Sequence, residues 1–104
     1  MSDENKNPNQ ITIDLPESVA EGTYSNLAII THSNSEFIID FIRMVPNVPK
    51  AKVKSRVILT PKHARRLLVA LKDNIDKFEK QYGKIEDNES MPFPPMNFTP
   101  TAKA

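Results

Sequence analysis

Between Lys52 and Gly83 the apolar residues change period once, and that change limits what the chain can fold into. Lys52-Val-Lys-Ser-Arg-Val-Ile-Leu-Thr60 alternates in period two, the pattern of a strand with one buried face. At Thr60-Pro61 the period becomes helical: Leu67, Leu68, Leu71, Ile75, Phe78 and Tyr82 fall along one face at spacings of three and four residues. Thr60 is a good N-cap and Pro61 a favoured first helical residue. Gly83 suits the position just past the C-terminus, and Lys80 lies in the last turn. The spacing therefore predicts a strand over 52–60 running directly into a helix over 61–82.

Upstream, Ile11-Thr-Ile-Asp-Leu15 alternates and reads as a short strand. A connector over Pro16–Gly22 follows, with Pro at one end and Gly at the other. Residues 23–32 are rich in β-formers. His32-Ser-Asn-Ser35 supplies a hairpin turn, with Asn34 able to take a positive φ. Residues 36–45 give the next strand, with Phe37, Ile39 and Phe41 on one face and Ile38, Asp40, Ile42 and Met44 on the other. A helix over 36–44 competes, because Phe37, Phe41 and Met44 also keep helical spacing and Ser33 or Ser35 could cap it. Three isoleucines and two phenylalanines in nine residues favour the strand. The fold expected is α+β: an antiparallel sheet of about four strands (11–15, 23–32, 36–45, 52–60) with one long helix, 61–82, packed on it.

Both faces of the 23–45 hairpin are largely apolar, so we expect it to be central and covered on both sides. One face can take the helix. The other needs a cover, and a second copy of the chain is the simplest. Residues 11–85 form a single domain in this reading, close to the size at which one core is only marginally sufficient. The first ten residues are expected to be disordered, as is the acidic and then Pro-rich stretch 86–104. Met91 to Pro100 sets Met91, Phe93, Met96 and Phe98 among four prolines. That segment could dock in an apolar groove or cover its own domain.

The chain's 104 residues include no cysteine, which excludes disulfides and thiolate metal sites. The first ten residues hold no apolar run of the kind a secretory signal needs, and no stretch is apolar enough to span a membrane. We expect a soluble cytoplasmic protein. Net charge is only +1, but residues 43–72 carry nine Lys or Arg and no acid. Lys52, Lys54 and Arg56 on one strand face, with Lys62, Arg65 and Arg66 at the start of the helix, form a candidate anion or nucleic-acid surface. Against that reading, no aromatic residue interleaves the block for base stacking. A solvated edge strand guarded by charge accounts for the same residues.

Three stretches, Glu21-Gly-Thr-Tyr-Ser-Asn-Leu27, Ser35-Glu-Phe-Ile-Ile-Asp-Phe41 and Lys52-Val-Lys-Ser-Arg-Val-Ile-Leu-Thr-Pro-Lys-His-Ala64, resemble a family of small bacterial and archaeal proteins. That family is known only as a domain of unknown function. The resemblance covers about residues 11–85 and implies a compact α+β domain with strands first and a long C-terminal helix. It carries no activity, cofactor or catalytic residue. The order of elements is also similar, more distantly, to that of the export chaperone SecB, a likeness of fold alone.

Catalytic chemistry finds little support. His32 and His63 are the only imidazoles, and neither stands at a recognised metal-ligand spacing. Glu36 and Asp40, four apart on a strand, would lie about 13 Å apart, too far to share a proton. Asp40 opposite a Lys or Arg on a neighbouring strand is the simpler account. We expect no catalytic, cofactor or metal residues. The expected function is a non-enzymatic interaction module, a homodimer that binds a protein partner through Phe37, Ile39, Phe41, Leu67, Leu71, Ile75 and Phe78. The alternatives are an accessory nucleic-acid-binding protein using the 43–72 surface, or a chaperone-like binder of unfolded chains.

Overall fold

The computed structural model describes residues 10–86. The element order is α1 (Glu17–Ala20), β1 (Leu27–His32), β2 (Phe37–Arg43), β3 (Lys52–Leu59) and α2 (Pro61–Tyr82). The three strands form one antiparallel sheet in the order β1-β2-β3. The chain is thus α+β, a three-stranded sheet followed by one long helix. The described residues divide into two compact units, one up to residue 64 and one from residue 65, and the division falls inside α2.

In the first unit, β2 is a strand and not a helix. It pairs along its length with both neighbours, from Leu27↔Ile42 to His32↔Phe37 on one side and from Phe37↔Leu59 to Arg43↔Lys52 on the other. Only this middle strand is central, whereas the sequence had suggested that the whole hairpin would be. The buried apolar core of the described residues is correspondingly small: Ile39, 8 % exposed, and Ile42, 5 % exposed, both on β2.

The expected strand over 11–15 does not form. Those residues lie outside any strand, and Ile11, Ile13 and Leu15 are exposed. Alternation records a potential face but supplies no pairing partner. An extended segment that pairs with neither sheet edge has no ladder to hold it. The connector after it contains one helical turn, α1, whose start is marked by Val19 and Ala20 N–H groups donating to the Pro16 carbonyl, each at 2.9 Å. Gly22 ends it at φ +80, a region that glycine enters without steric cost.

The hairpin turn also differs in detail. Ser33 N–H donates to the Glu36 carbonyl at 2.9 Å, and Asn34 keeps a negative φ. The non-glycine residue with positive φ among those described is Asn47, at 67°. It follows Pro46 in a turn closed by Val48 N–H to the Val45 carbonyl, 3.2 Å. Proline then Asn at the two central positions is type II turn chemistry, since proline presets the first φ and Asn tolerates the second.

The helix runs over Pro61–Tyr82, as its terminal residues predict. Thr60 Oγ1 accepts the His63 N–H at 3.2 Å, the N-cap bond that satisfies one orphan donor. At the other end Gly83, φ +96, donates its N–H to the Glu79 carbonyl at 2.9 Å, a left-handed C-terminal stop. Two i,i+4 ion pairs, Lys72–Asp76 at 3.0 Å and Asp73–Lys77 at 3.1 Å, run along its polar side. The apolar stripe opposite is open: Leu67, Leu71, Ile75 and Phe78 keep 38–55 % of their surface exposed, and no residue of α2 is buried. Residues 1–9 and 87–104, with the expected tail segment Met91–Pro100, lie outside the described residues.

Candidate functional site

The most ordered chemistry in the chain is an ion pair in the middle of the sheet. Asp40 on β2 lies directly opposite Arg56 on β3. Its carboxylate accepts from Arg56 Nε at 2.6 Å and from an Arg56 terminal nitrogen at 2.8 Å, a bidentate, charge-assisted arrangement. Asp40 is 0 % exposed, while the Arg56 side chain is about one-third exposed. The carboxyl is held below its usual range, chiefly by these hydrogen bonds, against the opposing effect of burial. The guanidinium is correspondingly raised by its bond to Asp40. Both partners are consumed by each other, so the pair positions strands and offers no acid or base to a substrate.

A β-bulge between Phe41 and Ile42 reorders the basic strand. Phe41 pairs with Ser55 but Ile42 pairs with Val53, so Lys54 is an extra residue on β3. Beyond it, Arg43 pairs with Lys52. Residues 40 and 43 face opposite ways on a regular strand, and their direct partners share their faces, so Arg56 and Lys52 stand on opposite sides of the sheet. The expectation of Lys52, Lys54 and Arg56 on one face is therefore corrected, because a bulge shifts every later residue to the other side. It carries Val53 to the face of Asp40 as well. Lys62, Arg65 and Arg66 are exposed on the first turns of α2.

Of the expected partner surface, Phe37, Ile39 and Phe41 share a sheet face, yet Ile39 is buried and the two phenylalanines are half-buried. Phe37 stacks on His32, ring centroids 5.4 Å apart. That contact gives His32 a packing role beside the turn. Leu67, Leu71, Ile75 and Phe78 form the open helix stripe described above.

Sequence reasoning passed over the polar residues that close the open end of the hairpin. Asn26 uses its side-chain amide as a strand would use its backbone: Nδ2 donates to the Met44 carbonyl at 3.0 Å, and Oδ1 accepts the Met44 N–H at 2.8 Å. Ser25 Oγ donates to the Leu27 or Ile42 carbonyl, each 3.0 Å away. Arg43 lies over the Tyr24 ring, 5.8 Å from its centroid, a cation–π contact. A Tyr-Ser-Asn run just before a strand was the available signal. Each of the three sequence stretches singled out above thus contributes to bonds that fix the sheet or the helix start.

Among the described residues no cluster of His, Asp and Glu could hold a metal ion, and no helix is long and apolar enough to cross a membrane. The family described as a protein of unknown function, DUF3467, matches residues 1–87, and the chain belongs to it. No curated protein matches the chain, and no solved structure does.

Proposed function

We propose that this member of a family of unknown function is a non-enzymatic interaction module that works as a homodimer and binds a protein partner through apolar sheet and helix surface. One observation carries the reading. The described residues bury only Ile39 and Ile42 as apolar core while Leu67, Leu71, Ile75 and Phe78 stay open. Contiguous exposed apolar surface of this kind marks interaction sites, and a domain this small gains little stability from so few buried groups. The non-enzymatic part draws support from Asp40, Arg56, Ser25 and Asn26, whose polar atoms are engaged in holding the strands together. The test is sedimentation or light scattering of the full chain. A dimer supports the reading, and a monomeric chain overturns it.

A second reading, nucleic-acid binding by the 43–72 block, is favoured by Lys52, Lys54, Lys62, Arg65 and Arg66. All are exposed, and the ion pairs among the described residues engage Arg56, Lys72 and Lys77 instead. Phosphate contacts would make such binding fall steeply with salt. Replacing Lys54, Arg65 and Arg66 by Glu would abolish retention on a single- or double-stranded oligonucleotide column. Retention unchanged by salt or by these substitutions would remove the reading.

A further inference from the structure

The two outer edges of the sheet are built differently. Along β3 stand Lys52, Lys54 and Arg56, the charged dress by which natural sheets discourage further strands. β1 has nothing of the kind: from Thr23 to Ser35 there is no Asp, Glu, Lys or Arg, and no described strand pairs with its outer side. An uncharged edge rich in β-branched residues is a template for another strand.

The register shows which backbone groups are on offer. Ser33 and Glu36 form a hydrogen-bonded pair through Ser33 N–H. Antiparallel ladders alternate hydrogen-bonded and non-hydrogen-bonded pairs, so Thr31↔Ile38 and Ile29↔Asp40 are also of the first kind. Ala28, Ile30 and His32 therefore turn their N–H and C=O groups outward.

We propose that β1 pairs antiparallel with β1 of a second copy, about a two-fold axis at Ile30, to give a continuous six-stranded sheet. This rests on the homodimer reading above and specifies its geometry. Three features of the strand favour this closed pairing over the other edge contacts that two copies could make. First, the register centred on Ile30 pairs all three outward residues, Ala28 with the copy's residue 32 and Ile30 with its equivalent. A shift of the axis by one residue leaves one of them unpaired. Second, antiparallel self-pairing brings no like charges together, whereas β3 against its own copy would set Lys and Arg side by side. Third, β1 against β3 of a copy would be a head-to-tail contact that leaves a free β1 on every added chain and propagates as a fibre. The isologous β1–β1 contact closes, and leaves charged β3 edges at both ends. On the face of Asp40 this register sets Ile29 opposite residue 31 of the copy, a β-branched pair of the kind that stabilises sheets. On the other face it covers Ile30, which is 60 % exposed in the single chain.

Disulfide trapping reads this geometry directly, because the chain has no cysteine of its own. Equivalent residues at the axis would have Cα atoms about 5.5 Å apart, inside the range a disulfide bridges. Full-length Ile30→Cys should become a covalent dimer under mild oxidation. Ala28→Cys alone should not, since its equivalent lies about 14 Å away along the strand, and the same holds for His32→Cys alone. An equimolar mixture of Ala28→Cys and His32→Cys, unfolded and refolded together, should cross-link, and this arm does not depend on the Ile30 side chain being replaceable. A parent chain that is dimeric by light scattering, but whose Ile30→Cys form and mixed pair stay unlinked, would overturn the edge pairing and leave the dimer standing. A monomeric parent would overturn both.

Discussion

Removing Arg56 while leaving Asp40 in place is the perturbation whose size the sheet fixes best. In Arg56→Met the carboxylate of Asp40, 0 % exposed, loses both of its bonds, at 2.6 and 2.8 Å. A hydrogen bond to a charged group contributes about 1.5–3 kcal/mol, and stranding one member of a fully buried pair costs about 3–5 kcal/mol. Arg56 is about one-third exposed, so water re-enters beside Asp40 and the cost falls to about 2–3 kcal/mol. With a urea slope of about 1 kcal/mol/M for a chain of this size, the unfolding midpoint at pH 7 should drop by about 2–3 M. Far-UV circular dichroism at fixed protomer concentration reads it.

Acid separates an ion pair from simple packing in the same experiment. In the parent chain the Asp40 pKa is lowered from its ordinary value of 3.8 by Arg56, so the pair's contribution is complete above that value and is lost as pH falls through the lowered one. Without Arg56, burial favours the neutral carboxyl, and the variant is relieved by acid. The gap between parent and variant should therefore narrow below about pH 4. The double variant Asp40→Leu/Arg56→Met should return to within about 1 kcal/mol of the parent, because a well-packed apolar pair replaces a buried ionic one at little cost. A single variant within about 0.5 kcal/mol of the parent at pH 7 would refute the reasoning. So would a penalty that does not change between pH 7 and 3.

Other outcomes follow from the caps and from the helix stripe. Thr60→Ala removes the acceptor for His63 N–H and should cost about 1 kcal/mol in a denaturant titration, whereas Thr60→Ser should cost almost nothing. Gly83→Ala puts a Cβ into open space but at φ +96. It should lower the thermal midpoint by the equivalent of about 1 kcal/mol through backbone strain alone. Asn26→Ala deletes both side-chain bonds to Met44 and should cost about 1–2 kcal/mol. It should also speed amide exchange at Met44 ahead of the rest of the sheet. Ile75→Glu, on the open stripe of α2, should leave the helix content by circular dichroism unchanged, because no residue of α2 is buried.

What was legible in the sequence was what short-range chemistry determines. The bounds of α2 could be read because a hydroxyl cap, a proline at the first position and a glycine past the end each satisfy a local requirement of a helix terminus. Asp40 within an apolar strand required a cationic partner, and Arg56 supplies it. Three features were not legible, each for a physical reason. The bulge at Phe41/Ile42 leaves no mark on the sequence except a break in alternation, which Lys54 hides because a polar residue fits the solvated phase of an unbroken strand equally well. The segment 11–15 has the composition of a strand, but pairing is decided by contacts with residues far along the chain, which composition does not report. Asn26 bonds to a residue 18 positions away, a contact that no local pattern announces. Asn34 and Asn47 make the same point in reverse: either suits a positive φ, and the proline before Asn47 decided which one adopts it.

The account turns on the claim that one chain does not complete its own core. Size-exclusion chromatography with in-line light scattering on the full chain, from micromolar concentration upward and in low and high salt, tests it most directly. The account predicts a mass of twice 11.8 kDa that persists in high salt, because apolar burial and backbone pairing carry the contact. A mass of 11.8 kDa at every concentration would contradict it.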